Sequence, residues 1–313
     1  MYSLHVIIVT YNAMQWAERC FSSLRKSAVP VQTIVVDNGS TDGTQEFIKS
    51  NFPEVDFIQS PENLGFGKAN NIGIEKAYKN RADFFYLMNQ DAWVFEDSFE
   101  KMLKFYDSYN NKEEIGIITP IHLDGTEKKL DPHFERYLAR GNEYNNLISG
   151  LYFAKPDPYY ELPFANAAHW LLPRHTAEIV GGFNPYFFHG AEDYDYVNRV
   201  KFHKKKILVA IQSRVVHDAK KIMPETDPAK ALQQRQLSAR MQLETKYMNP
   251  LFPFSIKREK KAFKTSILKH WLLRSPEDYR NTRRNLDFFE KRFAEIERLR
   301  SKTISEPHVF LDL

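Results

Sequence analysis

A single cysteine, Cys20, in 313 residues excludes internal disulfides and fits a reducing compartment. The residue itself reads as a small buried position on a helix. No apolar run approaches the roughly eighteen residues needed to cross a bilayer, so no spanning helix is expected. No charged leader or apolar h-region precedes the first strand, so no signal peptide is expected either. Internal repeats and low-complexity tracts are also missing. Together these absences point to the cytoplasm. What is present is 42% hydrophobic residues with abundant Phe and Tyr, enough for one large α/β domain and an appendage.

The net charge of +4 hides an asymmetry. From Lys220 onward there are 21 Lys and Arg against 12 Asp and Glu, whereas residues 1–219 carry 23 against 28. An acidic front half with a basic tail is not the footprint of a nucleic-acid binder, and no nucleic-acid partner is expected. It suits a catalytic domain that handles a metal, followed by a segment drawn to anionic surfaces.

Two β-branched runs, Val6–Val9 and Thr33–Val36, flank about one helix of chain from Ala13 to Ala28. Strand, helix, strand is the unit of a parallel sheet, which binds ligands at the carboxyl ends of its strands. Asn38-Gly39 and Asp42-Gly43 force a turn after the second run, leaving Asp37 at the sheet edge facing a crevice. A helix over about 43–51, a strand at Asp56–Gln59 and a helix over Ala69–Lys79 continue the alternation. Asp83–Met88 is an apolar strand running into Asn89-Gln90-Asp91, and Ile115–Pro120 is another strand. Residues 124–164 are polar and aromatic and carry no readable period. A strand near Ala165–Leu172, a helix from His175 to Val180, a helix over Ala191–His203 and strands at Ile207–Ile211 and Arg214–His217 complete the front domain. The organisation expected is a domain over 1–222 and a basic helical region over 223–313.

Three places carry chemistry. Asn89-Gln90-Asp91 presents two oxygen ligands on one side of the chain at a strand end, which suits Mg²⁺ or Mn²⁺ bridging a diphosphate. Glu192-Asp193-Tyr194-Asp195 sets three carboxylates at a helix start. The helix dipole accounts for one or two of them, and a carboxylate with a raised pKa there could act as general base. His217 follows an apolar run and gains weight as a second metal ligand beside Asp91. His189 is a candidate for an acceptor face, and Trp170 reads first as a core residue and second as a platform there, because flat aromatic rings suit sugars.

Val9-Thr10-Tyr11-Asn12, Val36-Asp37-Asn38-Gly39-Ser40-Thr41-Asp42-Gly43, Asn63-Leu64-Gly65-Phe66-Gly67-Lys68-Ala69-Asn70-Asn71, Asn89-Gln90-Asp91, Gly181-Gly182-Phe183 and Glu192-Asp193-Tyr194-Asp195 occur in that order. From about Ser3 to His217 the chain resembles the family-2 glycosyltransferases, of a rhamnosyltransferase-like polysaccharide-biosynthesis type. The resemblance implies a GT-A fold: α/β, Rossmann-like, a mostly parallel sheet flanked by helices, here with a helical C-terminal extension. It implies inverting transfer of a sugar from a UDP- or dTDP-sugar to a hydroxyl of a glycan or lipid-linked acceptor. Thr10 and Asp37 would hold base and ribose, with Tyr11, Asn12, Asn38 and Gln90 beside them. Asn63, Gly67, Lys68 and Asn71 would shape the nucleotide and sugar-side wall. Asp91 would bind the metal, Asn89 would replace the usual first acid of the motif, and His217 would complete the site. Asp193 would be the base next to Glu192, with Asp195 as the alternative base.

In the C-terminal third, Ile256, Phe263, Ile267, Leu268 and Trp271 recur at helical spacing opposite Lys257, Arg258, Lys261 and Lys264. Such a helix either lies on a membrane surface, here the inner one, or packs on the catalytic domain. Ser275-Pro276 starts a helix, Ser275 as cap and Pro276 first in line. Beyond it Tyr279, Leu286 and Phe293, and Phe289 and Ile296, recur every seven residues, enough for an intrachain or homodimer contact. A nucleotidyltransferase would want a Gly-rich loop with Arg and Lys near the first strand, which Val9–Asn12 lacks. The alternative function from another class is a sugar-nucleotide or glycan-binding module without turnover.

Overall fold

The computed structural model describes residues 2–157, 159–219 and 225–313, with the backbone alone over 141–145. It comprises two compact units, Met1–Ile222 with Pro307–Leu313, and Met223–Glu306. The break expected between 222 and 223 lies within 220–224, outside the described residues. The tail 307–313, counted with the C-terminal region from sequence, groups with the first unit.

The first unit opens with β1 (Leu4–Thr10), α1 (Met14–Arg25), β2 (Gln32–Asp37), α2 (Thr44–Asn51), β3 (Asp56–Gln59), α3 (Phe66–Lys79) and β4 (Phe84–Asn89). These strands are parallel in the order β3-β2-β1-β4. Their residues alternate between two cores. Ile7, Ile34, Phe85 and Leu87 face α3, while Val6, Ile8, Val35, Tyr86 and Met88 face α1 and α2. With both faces covered, β1, β2 and β4 carry near-continuous apolar runs, while the edge strand β3 is only half-buried.

The second half holds β5 (Ala92–Val94), α4 (Ser98–Ser108), β6 (Ile115–Leu123), α5 (Pro132–Asn145), α6 (Leu147–Tyr152), β7 (Tyr160–Glu161), β8 (His169–Pro173), α7 (Arg174–Val180), α8 (Glu192–Phe202) and β9 (Lys206–His217). The nine-stranded sheet continues β4-β8-β6-β9-β5, and β7 also pairs with β9. Here the pairing is mixed: β6 and β9 are parallel, and β8 runs antiparallel to β4 and β6. The two late strands expected from sequence form one, β9, which crosses a register shift at Pro120/Ile121 of its partner. That shift carries β9 far enough to pair Ala92 with His217.

The second unit is α9 (Pro228–Met248), α10 (Ile256–Leu272), α11 (Pro276–Glu290) and α12 (Phe293–Ser305). Tyr247, Leu286, Phe289, Phe293 and Ile296 are buried, with rings of Tyr247, Phe289 and Phe293 in edge and stacked contact. The seven-residue recurrence therefore fills an intrachain core. Pro276 opens α11 as expected, but the Ser275 side chain makes no cap bond.

Candidate active site

A cavity of about 440 Å³ opens where β1, β2 and β4 end. Its walls include Tyr11 after β1, Asn38 after β2, Asn63 and Gly65 ahead of α3 and Phe66 at its start, Asn89 at the end of β4 with Gln90 and Asp91 after it, and Phe188 and His189. This is the carboxyl edge, where a parallel sheet leaves a crevice.

Most polar residues around the cavity hold its loops together. Gln90 accepts from the Tyr11 N–H (2.7 Å) and donates to the Tyr11 carbonyl (3.2 Å), tying the β1 and β4 loops. Asn38 donates to the Gly65 carbonyl and accepts from the Leu64 N–H, fixing the loop that carries Asn63. Gly65 has φ +82°, and a Cβ there would lie 2.2 Å from the Phe188 carbonyl oxygen. Only glycine lets these two walls close on each other.

Several residues expected at the ligand lie elsewhere. Asp37 is fully buried instead of facing the crevice. It accepts from Thr10 Oγ1 (2.8 Å), Ser40 Oγ (2.5 Å), Gln45 Nε2 (2.8 Å) and the N–H groups of Gly39 and Ser40. Thr10 is likewise buried and used up on Asp37, so the pair builds the turn that presents Asn38. Asn12, in the left-handed region at φ 52°, accepts from the Thr41 N–H and pins the β1 and β2 loops. Gly67 packs against Phe183, which a Cβ would meet at 2.8 Å, and Lys68 is exposed outside the cavity wall.

Asn71 is a clamp. Its Oδ1 accepts from the Phe183 N–H (2.7 Å), and its Nδ2 donates to the carbonyls of Phe183 (2.8 Å) and Phe310 (3.1 Å). The tail thus straps the Gly181-Gly182-Phe183 loop, with the Gly182 N–H donating to the Val309 carbonyl (2.9 Å). At Gly181 (φ +83°) a Cβ would stand 2.1 Å from that same carbonyl oxygen. Gly181→Ala is therefore expected to lower stability by about 2–3 kcal/mol, read as a drop in the urea midpoint, since strain and a backbone clash coincide. An unchanged midpoint would remove the strap.

His217, at the end of β9, is nearly buried. Its Nδ1 lies 3.0 Å from Asp131 Oδ2, and its Nε2 lies 3.6 Å from Asp91 Oδ1 and 3.3 Å from Asn89 Nδ2. Burial pulls the imidazole pKa down, but the Asp131 hydrogen bond and the Asp91 and Asp131 charges outweigh it and raise it. Donating Nδ1–H to a carboxylate turns the Nε2 lone pair toward Asp91 and Asn89. Asn89 Oδ1 is buried without a hydrogen-bond partner. Among the described residues no group of three or more His, Cys, Asp or Glu stands at metal-holding distance. A cation here would find the Asp91 carboxylate and the His217 imidazole, with the Asn89 amide presenting its Nδ2 to that imidazole, and would take its other oxygens from substrate, as Mg²⁺ does.

Sequence reasoning missed Asp131. It caps α5, accepting from the N–H groups of His133 (2.7 Å) and Phe134 (2.8 Å), and so aims its second oxygen at His217. The signal was there: Asp directly before Pro132 is an N-cap with proline at the first helical position. Behind His217 stand His122 and His169, both buried, with the His169 imidazole pushed down by burial to about 3. Both are neutral and structural: His169 bonds Tyr86 Oη (2.7 Å) and the Val216 carbonyl (3.0 Å).

The three carboxylates of α8 separate. Asp195 is buried and paired with Arg199 Nε at 2.9 Å, while Arg199 also donates to the carbonyls of Val180 and Gly182 (both 2.6 Å). That engagement removes Asp195 as the alternative base. Glu192 is buried with Oε2 unpartnered, and burial raises its pKa. Asp193 is half-buried; burial, then the Glu192 charge, pushes its carboxyl up to about 7. Trp170 is fully buried, stacked at 6.0 Å on Phe183, and offers no face to a sugar. The exposed Tyr194 stacks at 4.0 Å on Phe164 and is the flat ring that sequence reasoning passed over.

A family model described as Glycosyl transferase family 2 matches residues 5–171, more than half of the chain. The dolichyl-phosphate beta-glucosyltransferase ALG5C of Trichomonas vaginalis is 28% identical over 148 residues, 45% of this chain and 43% of that protein. The O-antigen chain rhamnosyltransferase WbaN of Salmonella anatum is 29% identical over 126 residues, 39% of each chain. The chain thus spans about half the length, or less, of these curated relatives. The mannosyltransferase PcManGT of Pyrobaculum calidifontis, solved with GDP-Man and Mn2+, superposes with a TM-score of 0.58 at 14% identity, over 97% of this chain and 85% of that one. That likeness is one of fold, and it agrees with the GT-A arrangement of the sheet. On the family match over residues 5–171, this chain belongs to glycosyl transferase family 2.

Proposed function

We propose that the chain transfers a sugar from a nucleoside diphosphate, UDP or dTDP, to a hydroxyl of a glycan or lipid-linked acceptor, inverting the anomeric centre. The observation that carries this is the meeting of Asp91 Oδ1 and His217 Nε2, 3.6 Å apart, beside a cavity at the carboxyl ends of β1, β2 and β4. Tyr11, Asn38 and Asn63 form the nucleotide wall. Asp91 and His217 would hold Mg²⁺ or Mn²⁺, with Asp131 orienting His217. A bound cation would neutralise charge developing on the departing diphosphate.

Asp193 takes the acceptor proton during attack, its raised pKa matching the task, and a single displacement needs only this one base. Burial, and after it the charge of Glu192, keeps that pKa high. His189 and the open face of Tyr194 are the candidate acceptor contacts in place of Trp170. The setting in this reading is surface-polysaccharide assembly at the cytoplasmic face of a membrane; the polysaccharide part is supported by relatives such as the Salmonella O-antigen chain rhamnosyltransferase.

Thermal melts with UDP, dTDP, GDP and CDP, each with Mn²⁺ and with EDTA, test the reading. A ligand at a hundred times its Kd adds about 2.7 kcal/mol to stability. The expected result is a shift with one nucleotide that disappears in EDTA. A shift indifferent to EDTA would remove Asp91 and His217 as metal ligands. No shift with any nucleotide would overturn the donor site.

A further inference from the structure

The apolar stripe expected along α10 is divided in two. Ile256, Phe263 and Ile267 are half-buried, and Phe263 stacks at 5.9 Å on Phe289 of α11, with Glu259 buried on the same side. Leu268 and Trp271 point the other way. Leu268, Trp271, Leu272 and the following Leu273 are exposed by 56%, 65%, 64% and 62%.

Helical geometry puts Lys257, Lys261, Lys264, Leu268, Trp271 and Leu272 on one outward face, spaced by three, four and seven residues. The helix carries six Lys and Arg against the single acid Glu259. Among the described residues Lys257, Lys261, Lys264, Lys269 and Arg274 have no ion-pair partner, whereas Lys260 pairs inward with Glu290. So an uncompensated basic stripe leads into an apolar end bearing the most exposed tryptophan of the chain.

We propose that this face of α10 docks on an anionic lipid bilayer. The lysines reach the phosphate layer while Leu268, Trp271, Leu272 and Leu273 enter the headgroup boundary. That is the arrangement in which a cationic stripe and an aromatic anchor reinforce each other. A second copy of the chain fits poorly. A two-fold contact would set lysine against lysine, and four side chains fall short of the about 800 Å² per partner of a stable interface. The docking is peripheral: among the described residues no helix is long and apolar enough to cross a membrane. The surface stands on its own, whatever the cavity transfers.

Co-sedimentation of the full chain with phosphatidylethanolamine–phosphatidylglycerol vesicles, against phosphatidylcholine vesicles, tests it. The expected result is binding to the anionic vesicles alone, weakened in about 0.5 M salt. Brominated lipid should quench Trp271, since Trp93 and Trp170 are buried and Trp16 is half-buried. Trp271→Ser with Leu272→Ser should cut vesicle affinity at least about tenfold. If that variant loses helix content, Lys261→Glu with Lys264→Glu carries the same expectation. Failure to sediment, equal binding to phosphatidylcholine, or binding unchanged by both variants would overturn the proposal. A dimer that dissolves on Trp271→Ser would assign the face to a second copy instead. The nucleotide melts above should be the same for these variants and the parent chain, which separates this failure from failure of the donor site.

Discussion

Asp193→Asn is expected to lower transfer by about 10²–10⁴-fold, the usual contribution of a positioned general base, while leaving nucleotide binding intact. The asparagine keeps the size of the side chain and loses only its ability to take a proton. In the parent chain the base must be ionised to work, so the rate should rise tenfold per pH unit below about 7 and level off above it. Stability runs the opposite way. A carboxyl whose folded pKa lies above its ordinary value binds more protons folded than unfolded, so stability falls as pH rises from about 4 toward 7. Asp193→Asn escapes that loss and should melt higher than the parent above pH 7, the gap closing in acid. A variant both inactive and less stable at pH 8 would instead mark Asp193 as a structural acid. Turnover of the donor identified by thermal melts, followed across pH, gives the kinetic half of the test.

Arg199→Leu should cost about 3–5 kcal/mol, the range for removing one partner of a buried ion pair. The loss arises because the buried Asp195 would lose its cationic partner and the Val180 and Gly182 carbonyls would lose their donor. For a unit of this size that is a fall of roughly 10 °C in Tm. Arg199→Leu combined with Asp195→Leu should recover part of it by removing the buried carboxyl left without its partner. The consequence for function is indirect. Arg199 holds α8 against the Gly181-Gly182 loop, so it fixes the helix start where Glu192 and Asp193 lie. If the single variant melted like the parent, the division between an ion-paired Asp195 and an Asp193 held only by backbone N–H groups would fail.

The parallel half of the sheet was legible because each strand is a short apolar run ended by a polar pair, and Gly or Asn marks each turn. The crevice followed from that order. Burial inside the motifs was not legible. Asp37 and Asp91 both end a strand, yet Asp37 turns back onto Ser40, Gln45 and Thr10 while Asp91 stays partly open beside His217. Spacing alone does not tell a carboxylate that shapes a loop from one that meets a ligand. Asp195 could have been separated from Asp193, because Arg199 lies four residues on and shares its helix face. The stretch 124–164 stayed opaque since α5 mixes polar and aromatic residues and α6 is a single short helix, and it hid Asp131. In α10 the period was read correctly but not its two sides, because Leu268 and Trp271 look like core residues until Phe263 and Phe289 are seen to fill the core without them.

The claim at the centre is that Asp91 and His217 bring a divalent cation to the diphosphate. The most direct measurement is a Mn²⁺ titration followed by its EPR signal, with the nucleoside diphosphate selected by thermal melts, on the parent chain, Asp91→Asn and His217→Ala. The parent should bind Mn²⁺ only with the nucleotide present, and each variant should lose at least about tenfold in affinity, 1.4 kcal/mol. Equal Mn²⁺ binding by all three proteins would contradict the account.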